Sequence, residues 1–189
     1  MENIVIKNQD VLSWMDETSR LDKIQGCIIR GSADQEIAMH ACSDAILRSY
    51  LEGNVPYEKI ANAGFWHETV GGKFFNEKML EFFGNTRWYT ASYVPNGFIG
   101  WHEDTKVTGY FLMFSYSKLG NGFFKYLDIT TNEIIKLPDI PGWVCRSGFF
   151  GNDQTDALWH CASSDGPRWT WAYVWDIPEQ LQSAINKLT

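Results

Sequence analysis

The residues of this chain best suited to chemistry are His102 and Asp104, which stand two positions apart in a segment predicted to be extended. In a β-strand successive side chains alternate between the two faces, so His102 and Asp104 point to one side and Glu103 to the other. One face therefore offers an imidazole and a carboxylate together. A second imidazole beside them, with coordination positions left open, would complete the two-histidine, one-carboxylate ligand set of a non-heme ferrous ion.

The second imidazole is predicted to come from His160, which follows Leu158-Trp159 after a loop. A His-x-Asp pair alone is weak evidence, because short chains contain it by chance. The hypothesis of a metal triad therefore requires a fold that brings the segment around His160 beside His102 and Asp104.

The other two histidines are weaker candidates for metal ligands. His40 lies in a predicted amphipathic helix with no second ligand type at a matching helical offset, which favours a structural or surface role. His67 adjoins Glu68, but adjacent side chains point opposite ways in a strand, and glycines flank the segment. We interpret residues 64–72 as a loop, either on the substrate side of a site or simply at the surface.

The last predicted strand carries a further candidate group. An arginine among small residues on an inward face is costly unless it meets an anion, and the Arg168 guanidinium with the Thr170 hydroxyl suits a carboxylate. Alternatively, Arg168 opens the strand at its solvated end and pairs with Asp165. One face of this strand carries Arg168, Thr170, Ala172 and Val174, and the other carries Trp169, Trp171, Tyr173 and Trp175.

Short strands and turns dominate the chain from Arg87 onward, which indicates a jelly roll or a related barrel. The predicted strands are 87–94, 109–117, 123–129, 134–137, 143–150 and 169–175, with a turn at Pro95-Asn96-Gly97 and another at residues 161–167. Before them, Ile4-Val5-Ile6 and Cys27-Ile28-Ile29 are predicted as small edge strands.

Four helices are predicted around these strands. The first covers residues 11–21, and the second is one amphipathic helix from a capping box at Ser32 and Gln35 to Gly53. The third covers residues 76–83 and is closed by Gly84-Asn85. A capping box at Asp176 and Glu179, with a proline near the first turn, predicts the terminal helix.

Composition is that of an ordinary globular chain. The 189 residues are 44% hydrophobic and 21% charged, which fits a single domain at 1–189, with a flanking region at 1–86, a β core at 87–175 and a C-terminal helix at 176–189. The net charge of -7 disfavours non-specific adhesion to nucleic acid. No Cys-x-x-Cys pair, basic leader or long apolar run occurs, so we expect reduced cysteines, no membrane association and a cytoplasmic location.

The sequence resembles the 2-oxoglutarate- and iron(II)-dependent dioxygenases through His102-x-Asp104, His160 and Arg168-x-Thr170, over about residues 87 to 175. The resemblance implies a mainly β fold with flanking helices, built on a double-stranded β-helix of the jelly-roll, cupin-like type. It also implies that the triad binds Fe(II), that Arg168 anchors the far carboxylate of 2-oxoglutarate and that Thr170 assists. Tyr93 looks like the tyrosine that several branches use at the same carboxylate.

The prolyl 4-hydroxylase-like branch is favoured over the alkylation-repair branch. Ala91 and Val174 stand where the repair branch carries an asparagine and a second arginine, although many prolyl-hydroxylase-like members use lysine where this chain has Arg168.

The resemblance implies O2-dependent hydroxylation of an unactivated C–H bond, with a protein or peptide side chain such as proline as the first substrate guess. Succinate and CO2 would be the coproducts. Nucleic acid is an unlikely partner on this interpretation. Candidates for an aromatic wall around the site are Trp101, Trp159, Tyr110 and Phe114.

Two other functions stay open at this point. One is oxidation of a nucleobase or a small metabolite by an enzyme of the same family. The other is a non-catalytic, cupin-like binding module that keeps the jelly roll and holds zinc or no metal. The sequence leaves the substrate and the oligomeric state undetermined.

Overall fold

A computed structural model describes residues 1–25, 34–64, 69–84, 86–104, 107–151 and 156–189 of the chain. Among these residues, no helix combines the length and the apolar character needed to cross a membrane. The elements, in chain order, are β1 Glu2–Ile4, α1 Gln9–Gln25, α2 Gln35–Ala41, α3 Asp44–Leu51, β2 Ala61–Gly64, α4 Val70–Phe83, β3 Arg87–His102, β4 Tyr110–Ser117, β5 Gly122–Asp128, β6 Glu133–Pro138, β7 Gly142–Phe149, β8 His160–Ser164, β9 Arg168–Trp175 and α5 Pro178–Leu188.

The strands form one antiparallel sheet whose two halves share β3. Residues Arg87 to Tyr93 of β3 pair with β9, and the sheet continues through β4 and β7 to β1 at its edge. Residues Gly97 to His102 of β3 pair with β8, followed by β5 and β6. Because β3 passes from one half to the other, the sheet folds around an interior. The predicted mainly β fold with flanking helices and a double-stranded β-helix core is confirmed.

The predicted turn at Pro95-Asn96-Gly97 is wrong, since β3 runs through it without reversing direction. Asn96 has a φ of 59°, and the partner of β2 jumps from Phe98 to Tyr93 across this point, so the segment is a bulge. A Cβ on Gly97 would lie 2.7 Å from the backbone N and O of Val94, so this bulge requires glycine.

Strand β8 was also missed at the sequence level, because residues 161–167 were predicted as a turn. The strand continues to Ser164, and the turn is limited to Asp165-Gly166-Pro167. This extra strand carries His160 at its first position, antiparallel to the end of β3.

The two faces of β9 meet different surroundings, as the alternation of its residues predicted. Its aromatic face packs under helices α1, α4 and α5, whereas Ala172 and Val174 lie inside the barrel with Phe111 and Phe150. The outer cluster includes Trp169, Trp171, Tyr173 and Trp175 of β9, Val11 and Met15 of α1, Phe75 and Met79 of α4, and Ala184 and Leu188 of α5.

The single helix predicted from Ser32 to Gly53 is two helices. The Asp34 side chain accepts from Glu36 N and Ile37 N at the start of α2, and the Ser43 side chain accepts from Ile46 N at the start of α3. Each cap satisfies backbone donors that a helix would otherwise leave unpaired, so the cap at Ser43 interrupts the apolar pattern. Ser32 and the predicted strand at 27–29 lie outside the described residues.

Two other helix starts also differ from the prediction. Helix α4 begins at Val70 rather than Asn76, because the Thr69 side chain accepts a hydrogen bond from Gly72 N. The buried residues Gly71 and Gly72 therefore lie in a helix and not in the predicted loop. His67, Glu68 and Asn85 lie outside the described residues. Helix α5 begins at Pro178 without a side-chain cap, because Asp176 instead pairs with Arg87 at 2.5 Å.

Replacement of Phe75 by alanine tests the outer cluster. Phe75 is fully buried, stacks on Trp143 with ring centroids 5.2 Å apart and meets Phe114 edge-on at 5.5 Å. We expect Phe75→Ala to lower the free energy of unfolding by about 3–5 kcal/mol, measured by urea denaturation, because a cavity remains. Val70→Ala, at an exposed position of the same helix, should change it by about 0.5 kcal/mol or less. Equal effects of the two variants would contradict this packing.

Candidate active site

Two strand ends place the histidines opposite one another. His102 is the last residue of β3, His160 is the first of β8, and the two are direct partners in the ladder. Their ring centroids are 4.1 Å apart. Asp104 lies two residues beyond the end of β3, and the side chains of all three residues converge at one end of the barrel.

The carboxylate of Asp104 lies between the two imidazoles. Its Oδ2 is 3.6 Å from His102 Nε2 and 3.6 Å from His160 Nε2. The Nδ1 atoms lie 2.8 Å from Gly100 O and Leu158 O, respectively. A carbonyl can only accept a hydrogen bond, so in each neutral ring Nδ1 carries the proton and Nε2 presents a lone pair.

Burial and neighbouring charges set the protonation of this group. Burial, helped by His102 and opposed by Asp104, lowers the pKa of His160 to about 3. Burial raises the pKa of Asp104, but the neighbouring imidazoles of His102 and His160 and the ammonium group of Lys59 outweigh it and hold that pKa below its ordinary value. Near neutral pH His160 is therefore uncharged and Asp104 is ionised.

These three residues could hold a divalent metal. One possible ligand atom from each lies within 4.8 Å of the others. The donor set of two imidazoles with free Nε2 lone pairs and one carboxylate fits Fe(II) with positions left open.

Lys59 is a neighbour of the triad that sequence reasoning missed. Its Nζ lies 3.4 Å from Asp104 Oδ1, and its side chain is 46% exposed. It precedes β2, in the part of the chain from which no functional signal was read. Its position beside the Asp104 carboxylate depends on tertiary structure, which a single exposed lysine does not indicate.

A cavity of about 330 Å³ joins the triad to the inner face of β9. This volume falls in the range of small-molecule sites. Its walls include His102, Asp104 and His160 at one end, Tyr93, Arg168 and Thr170 further in, and the apolar side chains of Ile99, Phe111, Met113, Phe124, Phe150 and Ala172.

The aromatic wall predicted from the sequence is wrong. Trp101 belongs to a different buried cluster, and Phe114 points to the outer face of β4, where it packs on Phe75. The side chains that line the cavity from β4 are Phe111 and Met113, which lie on the face opposite Phe114. Tyr110 and Trp159 do not line it either.

Arg168 is fully buried inside the barrel. Its Nε donates to Asp139 Oδ2 at 2.8 Å, and its Nη1 donates to Thr170 Oγ1 at 2.6 Å. Its Nη2 has no hydrogen-bond partner among the described residues. The alternative pairing of Arg168 with Asp165 at a solvated strand end is therefore wrong, because the partner is Asp139 and the pair is buried.

Tyr93 stands opposite Arg168 in the ladder between β3 and β9. The Arg168 guanidinium carbon lies 4.9 Å from the centroid of the Tyr93 ring, which is a cation–π contact. Burial raises the pKa of Tyr93 to about 12, so its hydroxyl stays protonated and can act as a hydrogen-bond donor.

Sequence reasoning also missed Asp139. It lies between Pro138 and Ile140 in the connection from β6 to β7, where an aspartate is ordinarily a turn former. Nothing local distinguishes it from such a residue, because its partner is 29 positions away.

Comparison with known proteins found distant similarities of structure alone. The chain is similar to a prolyl hydroxylase from Trichoplax adhaerens in complex with a peptide fragment of the hypoxia inducible factor oxygen degradation domain, with 11% identity, 94% of this chain and 97% of that chain covered, and a TM-score of 0.43. It is also similar to a recombinant oxalate oxidase in complex with glycolate (11% identity, 66% and 54% covered, TM-score 0.36) and to a second oxalate oxidase structure (10%, 71% and 68%, 0.35).

The chain spans about half the length of the glycolate-bound oxalate oxidase chain. No family model and no curated protein matches the sequence. Likenesses this distant show nothing about the activity of this chain.

Metal titration tests the triad directly. We expect the chain to bind one Co(II) ion, measured by calorimetry, and His160→Ala to weaken that binding by about two orders of magnitude or more, because loss of a ligand exceeds the cost of losing an outer-shell partner. The matched control is His40→Ala, at an exposed position of α2, which should bind as the wild type does. Equal weakening in both variants would contradict a site at the triad.

Proposed function

We propose that the chain is an Fe(II)- and 2-oxoglutarate-dependent dioxygenase that hydroxylates an unactivated C–H bond. The observation that carries the proposal is that one cavity is lined by the His102, Asp104 and His160 side chains and by a buried arginine with an unpartnered N–H, Arg168. The first three suit a ferrous ion and the last suits a carboxylate.

In this proposal Nε2 of His102, Nε2 of His160 and the carboxylate of Asp104 hold the metal. The carbonyls of Gly100 and Leu158 fix the two rings by accepting from Nδ1, so the lone pairs are oriented before any metal arrives. Bound Fe(II) would supply the activation of O2, coupled to decarboxylation of 2-oxoglutarate, so that one oxygen atom enters succinate, the other enters the substrate as a hydroxyl group and CO2 is released.

Arg168, Thr170 and Tyr93 are assigned to the cosubstrate. The Nη2 of Arg168 is free to donate to the far carboxylate of 2-oxoglutarate, and the Thr170 hydroxyl, which already accepts from Nη1, can donate its own proton to the same group. The protonated Tyr93 hydroxyl adds a third donor. A buried guanidinium with an unpartnered N–H is costly, and a bound carboxylate would remove that cost.

The apolar wall of the cavity separates the two polar ends. Phe111, Met113, Phe124 and Phe150 line the cavity that the triad and Arg168 share. Once a cosubstrate fills this cavity, its apolar wall would strengthen the interaction between Arg168 and the anion and would limit side reactions of the oxidant with water.

The substrate we propose is a protein or peptide side chain, with proline as the first candidate. Its support is the prolyl 4-hydroxylase-like pattern of the motif residues, together with Val174, which stands where the alkylation-repair branch carries a second arginine. Val174 is buried beside Phe111 and Phe150, so the inner face of β9 offers no second cation for a nucleic-acid-repair site.

Anaerobic binding of both cofactors tests the proposal. We expect Fe(II) and 2-oxoglutarate together to produce a visible charge-transfer band, because that band requires a bidentate keto acid on the metal. The band should vanish in His102→Ala and persist in His40→Ala. A wild-type protein with neither the band nor affinity for 2-oxoglutarate would sink the proposed function, and stable zinc without turnover after iron exchange would favour a binding module.

The substrate class is tested by stimulated turnover. Succinate formation under O2 should rise when proline-containing peptides are added to the wild-type protein, because the oxidant then meets its target. Single-stranded DNA and metabolite pools are the comparison additions. Stimulation by either of those, and none by peptides, would overturn the peptide assignment while leaving the reaction class intact.

A further inference from the structure

Arg168, which is assigned to the cosubstrate, has two further buried charged residues near it, Asp139 and Arg146. Arg168, Asp139 and Arg146 are all buried. Arg168 Nε and Asp139 Oδ2 are 2.8 Å apart. Burial lowers the pKa of Arg146, Asp139 raises it and Arg168 lowers it, so all three charges interact.

Arg146 has few partners of its own. Its Nη2 donates to Pro138 O at 3.5 Å, and its Nε and Nη1 have no hydrogen-bond partner among the described residues. The Asp139 carboxylate therefore pairs directly with Arg168 and attracts the charge of Arg146 from a longer distance. Without that carboxylate, two buried like charges would repel each other in a medium of low dielectric.

The position of Asp139 is fixed by the backbone around it. Its N–H donates to Gly122 O at 2.9 Å. A Cβ on Gly122 would collide with the Asp139 carboxylate and would lie 2.8 Å from Ser163 O. The absence of a side chain at Gly122 thus makes room for the carboxylate against β5.

The hydrogen bonds of Arg168 follow from this arrangement. Its Nε is committed to Asp139 and its Nη1 to Thr170, which fixes the plane of the guanidinium and leaves Nη2 as the donor without a protein partner. A guanidinium held in this way loses little conformational freedom when it binds an anion.

We propose that Asp139 is a positioning residue of the cosubstrate site: it fixes the Arg168 guanidinium and offsets the charge of Arg146, so that Arg168 can receive the far carboxylate of 2-oxoglutarate. This inference rests on the proposed function. Charge alone predicts the opposite effect of Asp139, because its removal makes the cavity more positive and would tighten the binding of a dianion. The sign of the change in affinity therefore decides between positioning and charge.

The test is anaerobic calorimetry on the full-length, Mn(II)-loaded chain with two keto acids. The first is 2-oxoglutarate, and the second is 2-oxopentanoate, which has the same keto-acid end and chain length but no far carboxylate. In Asp139→Asn we expect the dissociation constant for 2-oxoglutarate to rise by about tenfold to a hundredfold, the worth of a hydrogen bond to a charged group. The constant for 2-oxopentanoate should stay within about threefold.

A second variant tests the repulsion between the arginines. Arg146→Met alone should change 2-oxoglutarate binding by about threefold or less, since Arg146 does not line the cavity. Combined with Asp139→Asn it should recover part of the lost affinity, because the like charge that repels Arg168 is gone, although the hydrogen bond of Arg168 Nε stays weakened. Absence of recovery would overturn the role of Arg146.

The remaining outcomes are each decisive. Unchanged or tighter binding of 2-oxoglutarate in Asp139→Asn overturns the inference, and so does equal loss of both keto acids, which indicates a general structural role. If Asp139→Asn does not fold, Asp139→Glu is the second variant, because it keeps the charge and shifts the carboxylate. Selective loss of 2-oxoglutarate affinity in Asp139→Glu supports the positioning role, and unchanged affinity contradicts it. If the wild type binds no 2-oxoglutarate, both the proposed function and this inference are wrong. If the wild type binds it, a negative result in the variants refutes this inference alone.

Discussion

Strand β3 makes two pairings on which the rest of the site depends. Near its middle Tyr93 is opposite Arg168 of β9, and at its end His102 is opposite His160 of β8. The bulge around Asn96 and Gly97 lets one strand serve both halves of the sheet, so the proposed metal ligands and the proposed cosubstrate anchor are held by a common backbone. A site built on paired strands is more rigid than one built on loops.

Charged side chains lie at two places inside the barrel. At one end the Asp104 carboxylate lies 3.6 Å from each of two imidazole Nε2 atoms. Deeper in the barrel, Asp139 neutralises one of two buried guanidinium groups. Apolar side chains of β4 and β5 separate these two ends. Asp139 is therefore paired and Arg168 lies next to the cavity, which agrees with the cost of burying an unpaired charge.

Much of the fold was predictable from local patterns. The alternation along β9 predicted which residues face the barrel, and the spacing of short strands predicted the jelly roll. Predictions from local patterns failed where the same sequence pattern is compatible with two different structures. Asn96 adopts a positive φ in a bulge as it would in a turn, and Ser43 begins a new helix within a pattern that continues across it.

The candidate site was also predicted only in part from the sequence. Its motif residues could be selected from the sequence, and the structure brings them to one cavity, although their roles remain predictions. Asp139 and Lys59 could not be selected, because each acts through a partner far along the chain. The aromatic wall failed for a simpler reason: Tyr110 and Phe114 are four residues apart on the same face of β4, and that face is not the inner one, where Phe111 and Met113 line the cavity.

The most direct test is a crystal structure of the chain grown with Mn(II) and 2-oxoglutarate under nitrogen, with the metal located by anomalous scattering. We expect His102 Nε2, His160 Nε2 and the Asp104 carboxylate to bind Mn(II), and Arg168 to bind the far carboxylate of 2-oxoglutarate. A metal bound elsewhere, or a cosubstrate whose far carboxylate avoids Arg168, would contradict it.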